Sequence, residues 1–173
     1  MRKLKTIFFI VTMVFAVSIG NAQDPKVSLD FNNGKRATEI LKKYVTALQN
    51  ADADGLADLM SKNAMVYGLG GGLDSLNTAE HKAYWVNSLA TYKHNISKDL
   101  YLPVKVEDNW NEGEWLLTWG VNTLENTKTG KVTPVPYHIA AVVVDDKIAA
   151  MHYYLDYISL LTKQGYKVIP PSE

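Results

Sequence analysis

The order of hydropathy patterns predicts an α+β domain, in which helices come first and an antiparallel sheet follows. In the first half of the 173 residues, apolar side chains recur at helical spacing in segments that begin at capping residues. After residue 99 the pattern changes to long segments rich in aromatic and β-branched residues, separated by turn signals. A chain of this length favours a single domain.

The first 22 residues are predicted to be a secretory signal peptide. "MRKLK" is a basic start, and "IFFIVTMVFAV" is an apolar run too short to span a bilayer comfortably. Gly20 and Ala22 supply small residues around a cleavage point after Ala22. We therefore expect an exported protein, periplasmic or extracellular, with an uncleaved membrane anchor as the alternative. The chain has no cysteine, which excludes disulfides and a lipid-anchored lipoprotein.

The composition of the mature chain is that of an ordinary domain surface. Three of the 18 basic residues leave with the signal, so 15 basic residues face 18 acidic ones. Without a basic excess, we expect no nucleic-acid partner, and no membrane partner after cleavage. Three of the four phenylalanines also leave, and the remaining aromatic residues are mostly Tyr and Trp. These carry polar groups into apolar places, which fits either a cavity with polar groups or a plain aromatic core.

Helices are predicted at three places between residues 36 and 92. Residues 23–35 are polar with Pro, Gly and Asn, and are interpreted as a flexible leader before a folded domain at 36–173. "ATEILKKYVTALQN" places Ile40, Leu41, Tyr44, Val45 and Leu48 on one helical face. Asp54 can cap a short helix "GLADLMS", and Thr78 can cap "AEHKAYWVNSLATY". Between them lie a short strand, "AMVYG", and a glycine-rich loop.

Four strands are predicted in the second half, in "LYLPVKVED", "EWLLTWGVNTLE", "VPYHIAAVVV" and "KIAAMHYYLDYISLL". A two-residue turn at Asp145–Asp146 would pair Val144 with Lys147. If the register continues unbroken from that turn, one face of the hairpin carries the side chains of Tyr137, Ile139, Ala141, Ile148, Ala150, His152, Tyr154 and Asp156.

That register predicts a cavity wall, because small alanines leave room and tyrosine hydroxyls offer hydrogen bonds. Asp156 would then be enclosed, with a pKa raised by burial. The alternative is an edge strand whose Asp156 reaches water, since a register slip of one residue reverses both faces. His152 and Asp156 lie about 13 Å apart along a strand and cannot form a direct pair.

The order of elements, together with "YVTALQNADADGLADLMSKNAMVYG" and "DDKIAAMHYYLDYISLLTKQG", resembles the NTF2-like superfamily. Within it, the chain is most similar to SnoaL-like polyketide cyclases and ketosteroid isomerases, over roughly residues 36 to 166. The resemblance implies a strongly curved antiparallel sheet wrapped around N-terminal helices as a cone with a pocket inside. It also implies homodimers that pair through their sheets.

The isomerase resemblance carries over only in part. "KKYVTALQN" puts Tyr44 at the position of the family's oxyanion-hole tyrosine, and Tyr137 falls at the second oxyanion donor. Gly68 stands where the family has its proton-shuttling aspartate. Steroid isomerisation requires that base, so we do not expect the reaction here.

The cyclase resemblance points to the last strand. Counted from Lys147, the family's general acid/base aspartate falls on Asp156, with His152 one position from the family's histidine. The predicted catalytic residues are Asp156, Tyr44 and His152. The predicted ligand-binding residues are Tyr137, Tyr154, Tyr67 and Trp119.

The predicted function is binding of a small apolar molecule in the cone, with acid/base chemistry on a carbonyl compound if the site is catalytic. The alternative is a non-catalytic ligand-binding or assembly domain of the same fold. No HExxH motif or Cys/His cluster occurs, so we expect no metal and no cofactor.

Overall fold

The computed structural model describes residues 26–29, 31–71 and 73–169. The predicted signal peptide and its cleavage point after Ala22 lie outside these residues. Within the described part of the chain, no helix is both long enough and apolar enough to cross a membrane.

The described residues form four helices, and the first three match the predicted ones with small shifts at their ends. They are α1 (Gly34–Gln49), α2 (Ala53–Asp58), α3 (Thr78–Thr91) and α4 (Tyr157–Gln164). The caps differ from the predicted residues. Asp52, not Asp54, accepts from Gly55 N at the start of α2. Asn77, not Thr78, begins α3 in a reciprocal capping box with Glu80.

The sheet has seven strands in the order β1-β4-β5-β6-β7-β2-β3. They are β1 (Lys26–Ser28), β2 (Met60–Tyr67), β3 (Ser75–Leu76), β4 (Tyr92–Glu107), β5 (Gly113–Asn126), β6 (Val132–Val144) and β7 (Lys147–Leu155). Every pairing is antiparallel except that of β2 with β7. The predicted α+β class and its curved sheet with N-terminal helices are confirmed. The leader is not entirely irregular, since β1 falls within it.

One face of the sheet forms the core together with the helices. Buried residues alternate along the strands, and the inward set on β5, β6 and β7 is Leu116, Thr118, Asn122, Leu124, Thr133, Val135, Tyr137, Ile139, Ala141, Val143, Ile148, Met151 and Tyr153. The apolar stripe of α1 packs against this face, as its spacing predicts. The opposite face, here called the outer face, is only partly buried, and none of the four described helices packs on it.

The predicted register of the β6–β7 hairpin is wrong beyond its first pairs. The turn itself forms, with Asp145 and Asp146 at φ 49° and 61°. Val143 pairs with Ile148, but Val142 pairs with Ala150, so Ala149 is an extra residue. Such a β-bulge moves every later residue of one strand to the other face. Tyr137 consequently lies opposite Leu155 instead of Tyr154.

The last predicted strand is too long. β7 ends at Leu155, and Tyr157–Gln164 is the helix α4. The side chain of Asp156 accepts a hydrogen bond from Ser159 N at 2.9 Å and thereby caps that helix. A short apolar run such as "YISLL" is compatible with either a strand or a helix. Here the helix is favoured, because the Asp156 side chain accepts from the Ser159 N–H, a donor that the first turn of a helix leaves without a backbone partner.

Candidate functional site

A partly open cavity of about 170 Å³ lies between the sheet, α3 and α4. α3 contributes Tyr84, Trp85 and Ser88, and α4 closes the other side with Leu160 and the exposed Leu161. The remaining lining residues are Tyr92, His94, Asn122, Leu124, Tyr153, Leu155 and Tyr157. No carboxylate, lysine or arginine is among the described residues that line it. The cavity is therefore mainly apolar, with a few neutral polar groups.

A chain of neutral hydrogen bonds crosses one wall of the cavity. Asn122 Nδ2 donates to His94 Nδ1 at 2.9 Å, and Ser88 Oγ lies 3.3 Å from His94 Nε2. Burial lowers the pKa of His94 to about 4, and the bond with Asn122 opposes this by less. His94 is thus neutral near pH 7, where its pKa makes it a poor general base.

Four tyrosines line the same cavity: Tyr84, Tyr92, Tyr153 and Tyr157. Tyr84 and Tyr157 share a hydrogen bond of 2.7 Å between their hydroxyls. Burial raises the pKa of Tyr84 and, well above its ordinary value, that of Tyr153. The hydroxyls of Tyr84 and Tyr153 therefore keep their protons and act as neutral hydrogen-bonding groups.

Tyr44, predicted to be catalytic, is fully buried in α1 and does not line the cavity. Its hydroxyl accepts from Trp85 Nε1 at 2.8 Å and lies 2.8 Å from His81 Nε2. Trp85 Nε1 also donates to His81 Nε2 at 2.9 Å, so that nitrogen must be an acceptor. This closed cluster already uses the Tyr44 hydroxyl, and burial raises the pKa of Tyr44.

Tyr137, predicted to bind ligand, is buried on the inner face and is also absent from the cavity lining. Its ring stacks on Tyr153 with centroids 6.2 Å apart. Burial raises its pKa. Tyr137 supports the wall through Tyr153 and does not itself face the ligand space.

The other four predicted site residues, Tyr67, Trp119, His152 and Tyr154, lie on the outer face, and the bulge at Ala149 places the two from β7 there. Tyr67 pairs with His152, and their rings stack at 4.7 Å. Trp119 pairs with His138 at 4.8 Å between rings, and His138 pairs with Tyr154. Placing His152 and Tyr154 inside the cone was therefore wrong. Tyr67, His152 and Tyr154 border an open groove of about 410 Å³ beside the glycine-rich loop.

Asp156 is exposed and does not line the cavity, so its predicted enclosure is wrong. Its pKa is lowered, not raised, chiefly by hydrogen bonds from Ser159. The exposed Asp156 carboxylate therefore stabilises the first turn of α4 as its N-cap. The structure does not bring Asp156 together with Tyr44 or Tyr137.

Gly68 shows why an aspartate is not found at the isomerase base position. Its φ is +89°, and a Cβ there would lie 1.9 Å from the carbonyl oxygen of Tyr153. No side chain fits at such a distance, so the backbone of this chain excludes a base at position 68.

The sequence interpretation missed Asn122, His94 and Tyr84, which line the cavity. Asn122 and His94 are inward-facing polar residues on β5 and β4, and the two strands pair with a shift between Ser97 and Leu100. A lone Asn between apolar neighbours in "WGVNTLE" was the available signal, because a buried amide requires partners.

Solved structures share this architecture at low sequence identity. A proposed polyketide cyclase from Xanthomonas campestris pv. campestris has a TM-score of 0.64 and 15% identity, over 76% of this chain and 98% of its own. An NTF2-like protein from Burkholderia xenovorans LB400 has a TM-score of 0.56 and 15% identity, over 79% and 98%. The chain has the NTF2-like fold.

A protein with a ketosteroid isomerase-like fold from Catenulispora acidiphila, in complex with trimethylamine, has a TM-score of 0.60 and 12% identity. That similarity covers 75% of this chain and 94% of the other. No family model and no curated relative matches the sequence. The NTF2-like resemblance predicted from the sequence is therefore confirmed at the level of the fold.

Proposed function

We propose that this protein is a small-molecule binding domain that holds one neutral, mainly apolar molecule in the inner cavity. The observation that carries the proposal is a cavity of about 170 Å³ whose described lining has aromatic, aliphatic and neutral polar groups only. An apolar cavity of about 150 Å³ in another protein takes up benzene, so the volume here fits a single ring. The structure of a similar fold in complex with trimethylamine supports small-molecule binding in this architecture.

Binding is favoured over acid/base catalysis by the groups around the cavity. A general base with a pKa near the working pH is the usual requirement for proton abstraction. His94 has a pKa of about 4, and Asp156 lies outside the cavity. The tyrosines can donate hydrogen bonds but hold their own protons at neutral pH.

Toluene binding, measured by thermal unfolding, tests this proposal. At toluene concentrations ten times Kd, binding stabilises the folded state by about 1.4 kcal/mol, or roughly 3–5 °C for a chain of this size. Leu155→Phe, which adds bulk to the cavity wall, should abolish the shift. Leu100→Phe is the control, since Leu100 is exposed on β4 away from the cavity. No shift in the wild type, or an equal shift in Leu155→Phe, would contradict the proposal.

We also propose a homodimer that pairs through the outer face. Trp119 and Tyr154 are 39% and 57% exposed there, next to partly buried Leu117, Val121, Ala140 and Val142. An exposed apolar surface of this kind marks an interaction site, and an isologous contact covers it on both copies.

The oligomeric state measured by sedimentation decides this point. Trp119→Lys should convert the dimer to a monomer, whereas Trp110→Lys, at a 95% exposed position in the β4–β5 turn, should not. A monomeric wild type at micromolar concentration would refute the dimer. Export with cleavage after Ala22 is likewise our proposal, on the basic and apolar pattern of the first 22 residues.

A further inference from the structure

Asn122 presents a buried hydrogen-bond acceptor to the cavity. The residue is 2% exposed and lines the cavity from β5. Its Nδ2 donates to His94 Nδ1 at 2.9 Å, and the Asn122 side chain also hydrogen-bonds to Tyr153, while Oδ1 has no hydrogen-bond partner among the residues that the structure describes. Leaving a buried acceptor unpaired is costly, so such an atom at a cavity wall calls for a donor in the cavity.

The tautomer of His94 follows from the Asn122 amide beside it. An amide nitrogen can only donate, so His94 Nδ1 must accept, and the proton of the neutral ring sits on Nε2. Nε2 faces Ser88 Oγ at 3.3 Å. Both ring nitrogens of His94 therefore have hydrogen-bond partners. In this chain of hydrogen bonds, the Asn122 Oδ1 is the acceptor that can still receive a donor from a ligand.

We infer that the cavity takes a neutral molecule of about one ring that donates a hydrogen bond, through a hydroxyl or N–H group, to Oδ1 of Asn122. This inference rests on the proposed function and names the chemical class of its ligand. The ring lies among Leu124, Leu155 and Leu160, which contribute apolar contact.

Other ligand classes fit the lining less well. A charged ligand would lose its hydration on entering the cavity, and the described lining residues offer no opposite charge to compensate. They include no lysine or arginine for an anion and no carboxylate for a cation. An apolar ring without a donor can enter, but it displaces any water from Oδ1 and offers nothing in its place. Sites that hydrogen-bond a substrate group discriminate strongly against an analogue that lacks it.

Calorimetric titration of the wild type with phenol, anisole and toluene tests the inference. Phenol donates a hydrogen bond, anisole carries the same oxygen without the donor, and toluene has neither. Phenol should bind about tenfold more tightly than anisole and toluene, although it is the least apolar of the three. Because this series needs no variant, it does not depend on any substitution being tolerated.

Asn122→Leu keeps an approximately equal volume and removes the acceptor, so phenol should lose its advantage while toluene still binds. Thr118→Val is the control, since Thr118 is a buried inward residue of the same strand outside the cavity lining. If none of the three ligands binds, the proposed function fails. If all bind equally, or if Asn122→Leu retains the preference for phenol, only the inference fails. Tighter binding of anisole would overturn the inference by showing that the amide presents Nδ2.

Discussion

Lowering the pH from 7 to 5 should destabilise the fold through two buried histidines. His81 and His94 are 0% and 7% exposed, and burial is the leading cause that lowers the pKa of each to about 4. In the unfolded chain a histidine has a pKa of about 6.5. The folded state therefore favours the neutral rings. Their contribution is fully present above about pH 6.5 and is lost as the pH falls towards 4.

The size of this loss in unfolding free energy follows from the folded and unfolded pKa values of the two histidines. At pH 5 each histidine removes about 2 kcal/mol of unfolding free energy relative to pH 7, and the two together remove about 4 kcal/mol. His81 has a specific reason to resist protonation, because a proton on Nε2 would face the indole N–H of Trp85 at 2.9 Å. A loss of this size is a large fraction of the stability of an ordinary domain.

Urea unfolding at pH 7 and pH 5, followed by tryptophan fluorescence at constant ionic strength, measures the loss. His81→Gln and His94→Gln should each reduce it to about 2 kcal/mol. Asn87→Gln, at an exposed position of α3, should leave the full loss in place. Equal stability at the two pH values, or a full loss in both histidine variants, would refute the reasoning.

Three further predictions concern Gly68, Asp156 and the N-terminus. Gly68→Asp should unfold the protein or cost more than about 3 kcal/mol, because its Cβ would meet Tyr153 O. Gly71→Asp, with φ +103° and no atom of the described residues within 4 Å of its Cβ, should cost only about 1 kcal/mol in the same denaturation assay. Asp156→Ala should lower the unfolding free energy by about 1 kcal/mol through loss of the α4 cap, whereas Asp156→Asn should be nearly silent; equal losses would argue against the cap. Mass spectrometry of the exported protein should find Gln23 as the first residue, and a mass that retains residues 1–22 would contradict cleavage.

The fold was predictable because its signals are local. The apolar stripe of α1 and the aromatic, β-branched strands after it depend on neighbouring residues only. The NTF2-like architecture followed from the order of those elements, and the structural similarities confirm it. The turn at Asp145–Asp146 was equally local and formed as predicted.

The candidate site was much less predictable, because it depends on strand pairing between distant parts of the chain. Ala149 inserts a bulge whose existence depends on how β7 pairs with both β6 and β2. That single shift moves His152 and Tyr154 to the outer face and brings Tyr153 into the cavity wall. Asp156 was misplaced for a different reason, since an Asp before a short apolar run suits both a strand and a helix cap. Asn122 and His94 become partners only through the β4–β5 pairing.

A crystal structure of the wild-type protein soaked with phenol tests the central claim most directly. We expect one phenol in the cavity between Asn122 and Leu160, with its hydroxyl within hydrogen-bond distance of Asn122 Oδ1. A cavity that stays empty at saturating phenol, or phenol bound only on the outer face, would contradict it.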